Sequence, residues 1–365
     1  MMNDKTTERR TIRPVPAVAG MAPYALTDLP PGLTSLAQNE SAFPPSPAAI
    51  AAGRDAAAAA AAYPDPDWRD LRQAIAEVHG LDPASILCGA GSMELIGCLI
   101  RAFAGPGDAV LGSQYNYLFV ATACRQAGAR SDAVPETAFT VSVDALLAAV
   151  RRETRIVFVC NPGNPTGTRL ANAELLRLRG ALPADVLLVV DQAYAEFDDQ
   201  DHAPLLALAA GGDTVILRSF SKAYGLAGAR VGWGIFPPAI AAETRKLLNP
   251  NNVSGISQTM AEAALRDQDY MRQVVADTGD IRRAFAAGLE RAGYAPPPSH
   301  TNFVLIPFAD DRAARAADAR LRAGGFLLRG MGGYGLGHCL RATIGDAASM
   351  TRVAALLAEL RGGAC

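Results

Sequence analysis

The sequence predicts an α/β fold, with a mostly parallel sheet in a large domain followed by a smaller α+β domain at the C-terminal end. Three observations carry this. Helical and strand-like patterns alternate from Leu71 to Ser219. The strand segments, such as Val186–Val190, are continuous apolar runs rather than alternating ones, which fits strands covered on both faces. Beyond Asn249–Asn252 the pattern changes to long helices and then short strands.

A length of 365 residues suggests two structural units or one with an appendage. We divide the chain into an N-terminal arm (1–40), a large domain (41–250) and a small domain (251–365). Hydrophobic residues make up 50% and charged residues 19%, so a large packed core can form. Lysine plus arginine (34) nearly balance aspartate plus glutamate (36), with no basic block, which argues against nucleic acid or anionic lipid as a partner. The six cysteines are scattered without paired spacing, against both a disulfide framework and a thiolate metal cluster. Met1–Arg10 lacks the apolar core of a secretory signal, and no run approaches the roughly 18 apolar residues of a membrane span. A cytoplasmic protein is therefore expected.

The proline-rich first 45 residues read as an extended arm lying on other structure. Ala56–Ala62 predicts a short helix from alanine's propensity. Leu71–His79 and Ser92–Phe103 read as helices, Ala109–Gly112 as a strand, Tyr117–Ala127 as a helix and Arg155–Cys160 as a strand. Ala173–Arg179 follows as a helix, then Val186–Val190 and Thr214–Ser219 as strands. In the small domain, helices over Ser257–Arg266 and Tyr270–Ala292 precede strands at Asn302–Ile306, Phe326–Arg329 and Cys339–Ile344. Open α/β sheets bind ligands at the carboxyl ends of their strands, so the residues after each apolar run are the candidates for chemistry.

Four such ends carry polar clusters: Gly89-Ala90-Gly91-Ser92, Asn161 to Gly167, Asp191-Gln192-Ala193-Tyr194, and Ser219-Phe220-Ser221-Lys222. Their order and spacing resemble the fold-type I pyridoxal-phosphate enzymes, in the class I/II aminotransferase branch that includes histidinol-phosphate aminotransferases. The likeness covers about residues 20–350. It implies a pyridoxal-phosphate transferase large domain, pyridoxal 5′-phosphate as cofactor, a homodimer, and amino transfer between an amino donor and a 2-oxo acid in two half-reactions.

The resemblance also implies roles for particular residues. Lys222 matches the lysine that holds the cofactor as an imine and then moves the substrate's Cα proton, which calls for a depressed amine pKa. Asp191 matches the carboxylate that keeps the pyridine nitrogen protonated, so that the ring can accept electrons. Tyr194 and Asn164 match partners of the ring's phenolic oxygen. Gly91, Ser92 and Met93 offer helix-start N–H groups to phosphate, although a plain helix cap explains the turn equally well. Ser219, Ser221 and Arg230 add hydroxyls and a guanidinium. Tyr63 matches a residue that reaches the neighbouring subunit's phosphate, or is a core tyrosine. Tyr115 is placed as the ring stacked on the cofactor, with Tyr117 as the alternative.

Arg341 matches the small-domain arginine that takes a planar carboxylate. Asn39 and Tyr24 resemble substrate-side residues of the arm. Arg329 suits an acidic or phosphate-bearing side chain, or pairs with Asp346. Four positions depart from the pattern: Met93 where an acidic residue is frequent, Ser113-Gln114 for Pro-Thr, Ser41 for asparagine, and Gln192 for glutamate.

Histidinol phosphate and aromatic amino acids are the candidate substrates. A phosphothreonine-type decarboxylase would use the same cofactor residues. The Gly225 to Gly228 stretch could instead mark a nucleotide-binding loop, and a cofactor-sensing regulator is a non-enzyme alternative that lacks a basic DNA-binding segment. His79, His202, His300 and His338 have no motif spacing, so no metal site is expected.

Overall fold

The computed structural model describes residues 12–22 and 30–362. Its strands are β1 (Thr34–Leu36), β2 (Ile86–Gly89), β3 (Ala109–Ser113), β4 (Arg130–Val134), β5 (Thr154–Cys160), β6 (Leu187–Asp191), β7 (Thr214–Ser219), β8 (Gly232–Ile235), β9 (Phe303–Pro307), β10 (Phe326–Gly330) and β11 (Cys339–Thr343). The helices are α1 (Pro47–Ala56), α2 (Arg69–His79), α3 (Ser92–Phe103), α4 (Leu118–Ala127), α5 (Val143–Ala149), α6 (Asn172–Ala181), α7 (Ala203–Leu208), α8 (Pro238–Arg245), α9 (Gly255–Arg266), α10 (Gln268–Arg291), α11 (Asp311–Ala323) and α12 (Ala347–Gly362).

Seven strands form the larger sheet in the order β2-β8-β7-β6-β5-β3-β4. The run β4, β3, β5, β6, β7 is parallel throughout. The apolar runs of β6 and β7 are buried along their whole length, as strands with helices on both faces must be. β8 is antiparallel to both its neighbours and lies between β7 and β2. Because two reversals restore direction, the end of β2 lies on the same sheet edge as the end of β7, with Gly89 and Ser219 both opposite Gly232. That register brings the glycine turn and the Ser219–Lys222 segment together.

β8 was not foreseen, because its sequence Gly-Trp-Gly-Ile is poor in the β-branched residues that announce a strand. The glycines are needed for packing. A Cβ on Gly232 would stand 2.2 Å from the Ser92 backbone nitrogen, so only glycine lets the start of α3 lie on this strand.

The smaller sheet has the order β1-β10-β11-β9. Its antiparallel strands β10, β11 and β9 bury Val304, Ile306, Leu328 and Leu340 against α10, α11 and α12. The arm does lie on other structure, and it does so as a strand, β1, pairing parallel with β10. α9 buries Ala261, Ala264 and Leu265 in the larger core, and α10 runs on from there to the smaller one.

The helix expected over Ala56–Ala62 is displaced. Ser46 caps α1 by accepting from the Ala49 N–H, and Pro47 starts the helix, which ends at Ala56. Ala57–Ala59 is a 3-10 turn, and residues 57–62 are all exposed. Propensity alone does not hold a short helix that has no apolar face to bury.

Candidate active site

Asp191 is the last residue of β6, and Lys222 follows the end of the adjacent strand β7. The Asp191 carboxyl is buried, and its Oδ1 accepts from the Ala193 N–H at 3.1 Å. Burial pushes its pKa up to about 6, opposed by that N–H and by the charge of Lys222. The Lys222 amine donates to the Asn39 carbonyl at 2.9 Å and lies 5.9 Å from the centre of the Tyr194 ring. Burial of the amine lowers its pKa to about 8, with the positive charge of Arg341 next in effect.

Tyr194 is buried edge-on to Phe303, with ring centres 5.3 Å apart, and its hydroxyl accepts from Asn39 Nδ2 at 2.8 Å. Burial raises its pKa further above the phenol value. From the centre of β11, Arg341 donates to Asn164 Oδ1 at 2.6 Å and to the Ala37 carbonyl at 3.1 Å, with its guanidinium over the Phe303 ring. The sequence-predicted residues Lys222, Asp191, Tyr194, Asn164, Arg341 and Asn39 thus form one cluster between the two sheets.

Asn39 is the joint of this cluster. Its φ of 56° lies in the left-handed region, where asparagine is among the few tolerated side chains. This turns its N–H to Thr343 Oγ1 at 2.9 Å and its carbonyl to both Lys222 and Asn302 Nδ2. Asn302, Phe303 and Thr343 were not singled out from the sequence. Their only sequence signal was position, next to strand ends of the small sheet.

At the other end, Gly91 precedes α3 with φ 79°, and a Cβ there would stand 2.3 Å from an Arg230 guanidinium nitrogen. Ser92 and Met93 open α3, where free N–H groups and the positive end of the helix dipole favour an anion. Glu94 of the same turn accepts from the Ala90 N–H and from Asn252, which fixes the turn. The Ser219 hydroxyl accepts from the Ser221 N–H at 3.1 Å and holds the segment leading to Lys222.

Tyr115 packs on Phe139 (ring centres 6.1 Å apart) beside Leu305, Met331, Leu336 and Cys339 of the small domain. Tyr117 caps the start of α4, with its hydroxyl 3.5 Å from the sulfur of Met93 in the first turn of α3. Arg329 stands directly opposite Arg341 across β10 and β11, so both project from the same face of the small sheet. Asp346 caps α12 by accepting from the Ser349 N–H and hydroxyl. Tyr63 is 89% exposed, apart from the cluster, and Tyr24 lies outside the described residues. Gln192 is fully buried and bonds to His202 Nδ1 at 3.2 Å rather than entering the site.

The Gly225 to Gly228 stretch does not form a nucleotide cradle. Gly225 (φ 67°) packs against the backbone of Phe43, Pro44 and Pro45 and seats the arm. Away from the site Asp198, Asp199 and His300 approach one another, and the Arg169 guanidinium bridges the two aspartates.

A buried amine, a buried carboxylate beside it and an anion cradle at a helix start suit one flat ligand that carries an aldehyde, a basic nitrogen and a phosphate. The comparisons agree. The family model described as "Aminotransferase class I and II" matches residues 31–357, and the chain belongs to that family. It is a pyridoxal-phosphate-dependent aminotransferase. Among its relatives are histidinol-phosphate aminotransferases from Jannaschia sp., 43% identical over 89% of this chain and 90% of that one, and from Cereibacter sphaeroides, 41% identical over 96% and 98%. The crystal structure of the Sinorhizobium meliloti histidinol-phosphate aminotransferase in complex with pyridoxal-5′-phosphate superposes with a TM-score of 0.85 at 34% identity, over 91% of each chain. The decarboxylase, nucleotide-binding and regulator readings are not favoured.

Proposed function

We propose that the chain transfers the amino group of histidinol phosphate to a 2-oxo acid. The observation that carries the site reading is the Lys222 amine, brought to a pKa of about 8 among Asp191, Tyr194 and Arg341. Substrate choice is supported by the curated relatives and by the paired guanidiniums of Arg341 and Arg329 on one sheet face, which suit an anionic group.

The bound cofactor supplies an electrophilic aldehyde and a ring able to delocalise a carbanion. Lys222 anchors that aldehyde, then serves as the base that takes and returns the substrate's Cα proton. Asp191 keeps the ring nitrogen protonated, while the Tyr194 hydroxyl and Asn164 amide bond to the ring oxygen. Main-chain N–H groups of Ser92 and Met93, together with Ser219, Ser221 and Arg230 beside Gly91, hold the phosphate. Tyr115, with Tyr117 as the alternative, covers the ring. Arg341 orients the substrate's anionic group, and Asn39 and Tyr24 close the substrate side. Exposed Tyr63 reaches the partner's phosphate in a homodimer, which works in the cytoplasm.

Two measurements test this. Borohydride reduction of the holoenzyme followed by peptide mapping has only Lys5, Lys222 and Lys246 to choose among, and a label elsewhere than Lys222 removes the anchor. Histidinol phosphate is expected to bleach the bound cofactor's visible absorption in a single half-reaction. If phenylalanine bleaches it and histidinol phosphate does not, the substrate assignment fails.

A further inference from the structure

Asp191 ends β6 and Tyr194 follows three residues later, so their relative placement depends on how the turn between them is held. At its start the Gln192 N–H donates to the Leu217 carbonyl at 2.8 Å, and at its end the Ala195 N–H donates back to the Gln192 carbonyl at 3.0 Å. A third fastening comes from outside the turn. His202, the residue before α7, reaches back with both ring nitrogens: Nδ1 lies 3.2 Å from Gln192 Nε2, and Nε2 lies 3.2 Å from the Ala195 carbonyl oxygen. The imidazole thus grips the residue after Asp191 and the residue after Tyr194.

The ring is itself held in place. Its side chain is mostly buried, the His202 carbonyl accepts from the Leu205 and Leu206 N–H groups at 3.0 Å each, and Leu205 is fully buried in the larger core. The tautomer follows from the partners. A carbonyl oxygen only accepts, so Nε2 carries the proton; in a neutral ring Nδ1 is then an acceptor, and the Gln192 amide donates to it. Burial, and next the charge of Arg218, lower the His202 pKa and favour the neutral ring, against the opposing pull of Asp198, 3.9 Å from Nε2, and of Asp201. The amide keeps this orientation although its Oε1 is then buried without a hydrogen-bond partner.

We propose that His202 is a positioning residue for the aminotransferase reaction, clamping the Gln192–Ala195 turn so that the Tyr194 hydroxyl and the Asp191 carboxyl keep their places beside the Lys222 amine. This rests on the reading above that Tyr194 and Asp191 face the cofactor ring. Tyr194 depends on the clamp more, because Asp191 also belongs to β6 whereas Tyr194 lies beyond the strand.

The test compares the holoenzyme with its His202→Phe, His202→Asn, His202→Gln and Tyr194→Phe variants, and with the double variant carrying His202→Phe and Tyr194→Phe. Phenylalanine fills the ring's volume without a nitrogen, asparagine keeps an acceptor where Nδ1 stands, and glutamine keeps a donor where Nε2 stands. The pH midpoint of the bound cofactor's visible absorption is measured alongside kcat and KM. His202→Phe is expected to lower kcat about tenfold with KM within about twofold, and to move the midpoint in the direction that Tyr194→Phe moves it. His202→Asn and His202→Gln fall between it and the parent. In the double variant His202→Phe changes kcat by less than about twofold beyond Tyr194→Phe, since its effect runs through that side chain. Parent-like kcat and midpoint in His202→Phe, or an effect that adds in full to that of Tyr194→Phe, overturns the proposal. If His202→Phe does not fold, parent-like His202→Asn and His202→Gln overturn it instead. Nitrogen-15 NMR of the histidine-labelled holoenzyme reads the ring directly, and a proton on Nδ1 in place of Nε2 also overturns it. Should Tyr194→Phe itself leave the midpoint where it was, it is the placing of Tyr194 at the ring oxygen that falls, and the tautomer and the kcat of His202→Phe decide the clamp.

Discussion

The depressed pKa of Lys222 makes a quantitative forecast for the cofactor-free protein. An ordinary lysine with a pKa of 10.5 is neutral in about one molecule in three thousand at pH 7, and an amine at about 8 in about one in ten. The difference corresponds to about 3 kcal/mol against the charged form, supplied first by burial and next by Arg341. Trace acetylation with acetic anhydride, read by peptide mass spectrometry, follows the neutral fraction of each amine, and only three lysines have to be separated. Between pH 7 and pH 9 the Lys222 label should rise about tenfold and then flatten, where an unperturbed amine rises about a hundredfold and keeps climbing. Arg341→Met removes the neighbouring cation, so the midpoint moves up. A Lys222 profile still climbing without a plateau through pH 9.5 would falsify the claim that the fold keeps this amine ready to react.

Three further outcomes are expected. In the cofactor-free protein the raised Asp191 pKa contributes stability that is complete below its unfolded value of 3.8 and lost as pH rises through about 6. Asp191→Asn should therefore recover up to about 3 kcal/mol at pH 7 in urea melts while cofactor affinity collapses, and a variant less stable than its parent at pH 7 contradicts this. Gly232→Ala, whose Cβ would meet the Ser92 backbone, should cost about 1–3 kcal/mol and loosen the phosphate end, checked by thermal melts and cofactor titration. If Tyr115 is the stacked ring, Tyr115→Leu should alter cofactor absorption far more than Tyr117→Leu, and the reverse order assigns the stacking to Tyr117.

Much of this was legible in the sequence because the central strands announce themselves. β7 and α3 occupy the predicted residues, and Asp191 and Lys222 sit at strand ends because apolar runs stop where the sheet edge meets ligand and solvent. β8 was hidden because glycines chosen for close approach to α3 erase the strand signal. Tyr115 and Tyr117 lie two residues apart on one loop, and nothing in their spacing says which ring turns towards α3 and which towards the small domain. Asn39 was visible as a motif residue, but its left-handed backbone and its four partners depend on contacts more than 150 positions away, which no local pattern encodes.

The segment Thr34–Asn39 adds an edge strand to one sheet, accepts from Arg341 at Ala37 and touches Lys222 through Asn39, all within six residues. It is a short mechanical linkage between the small sheet and the reactive amine. Circular permutation or a protease cut inside this stretch would detach a strand and two catalytic-side contacts at once.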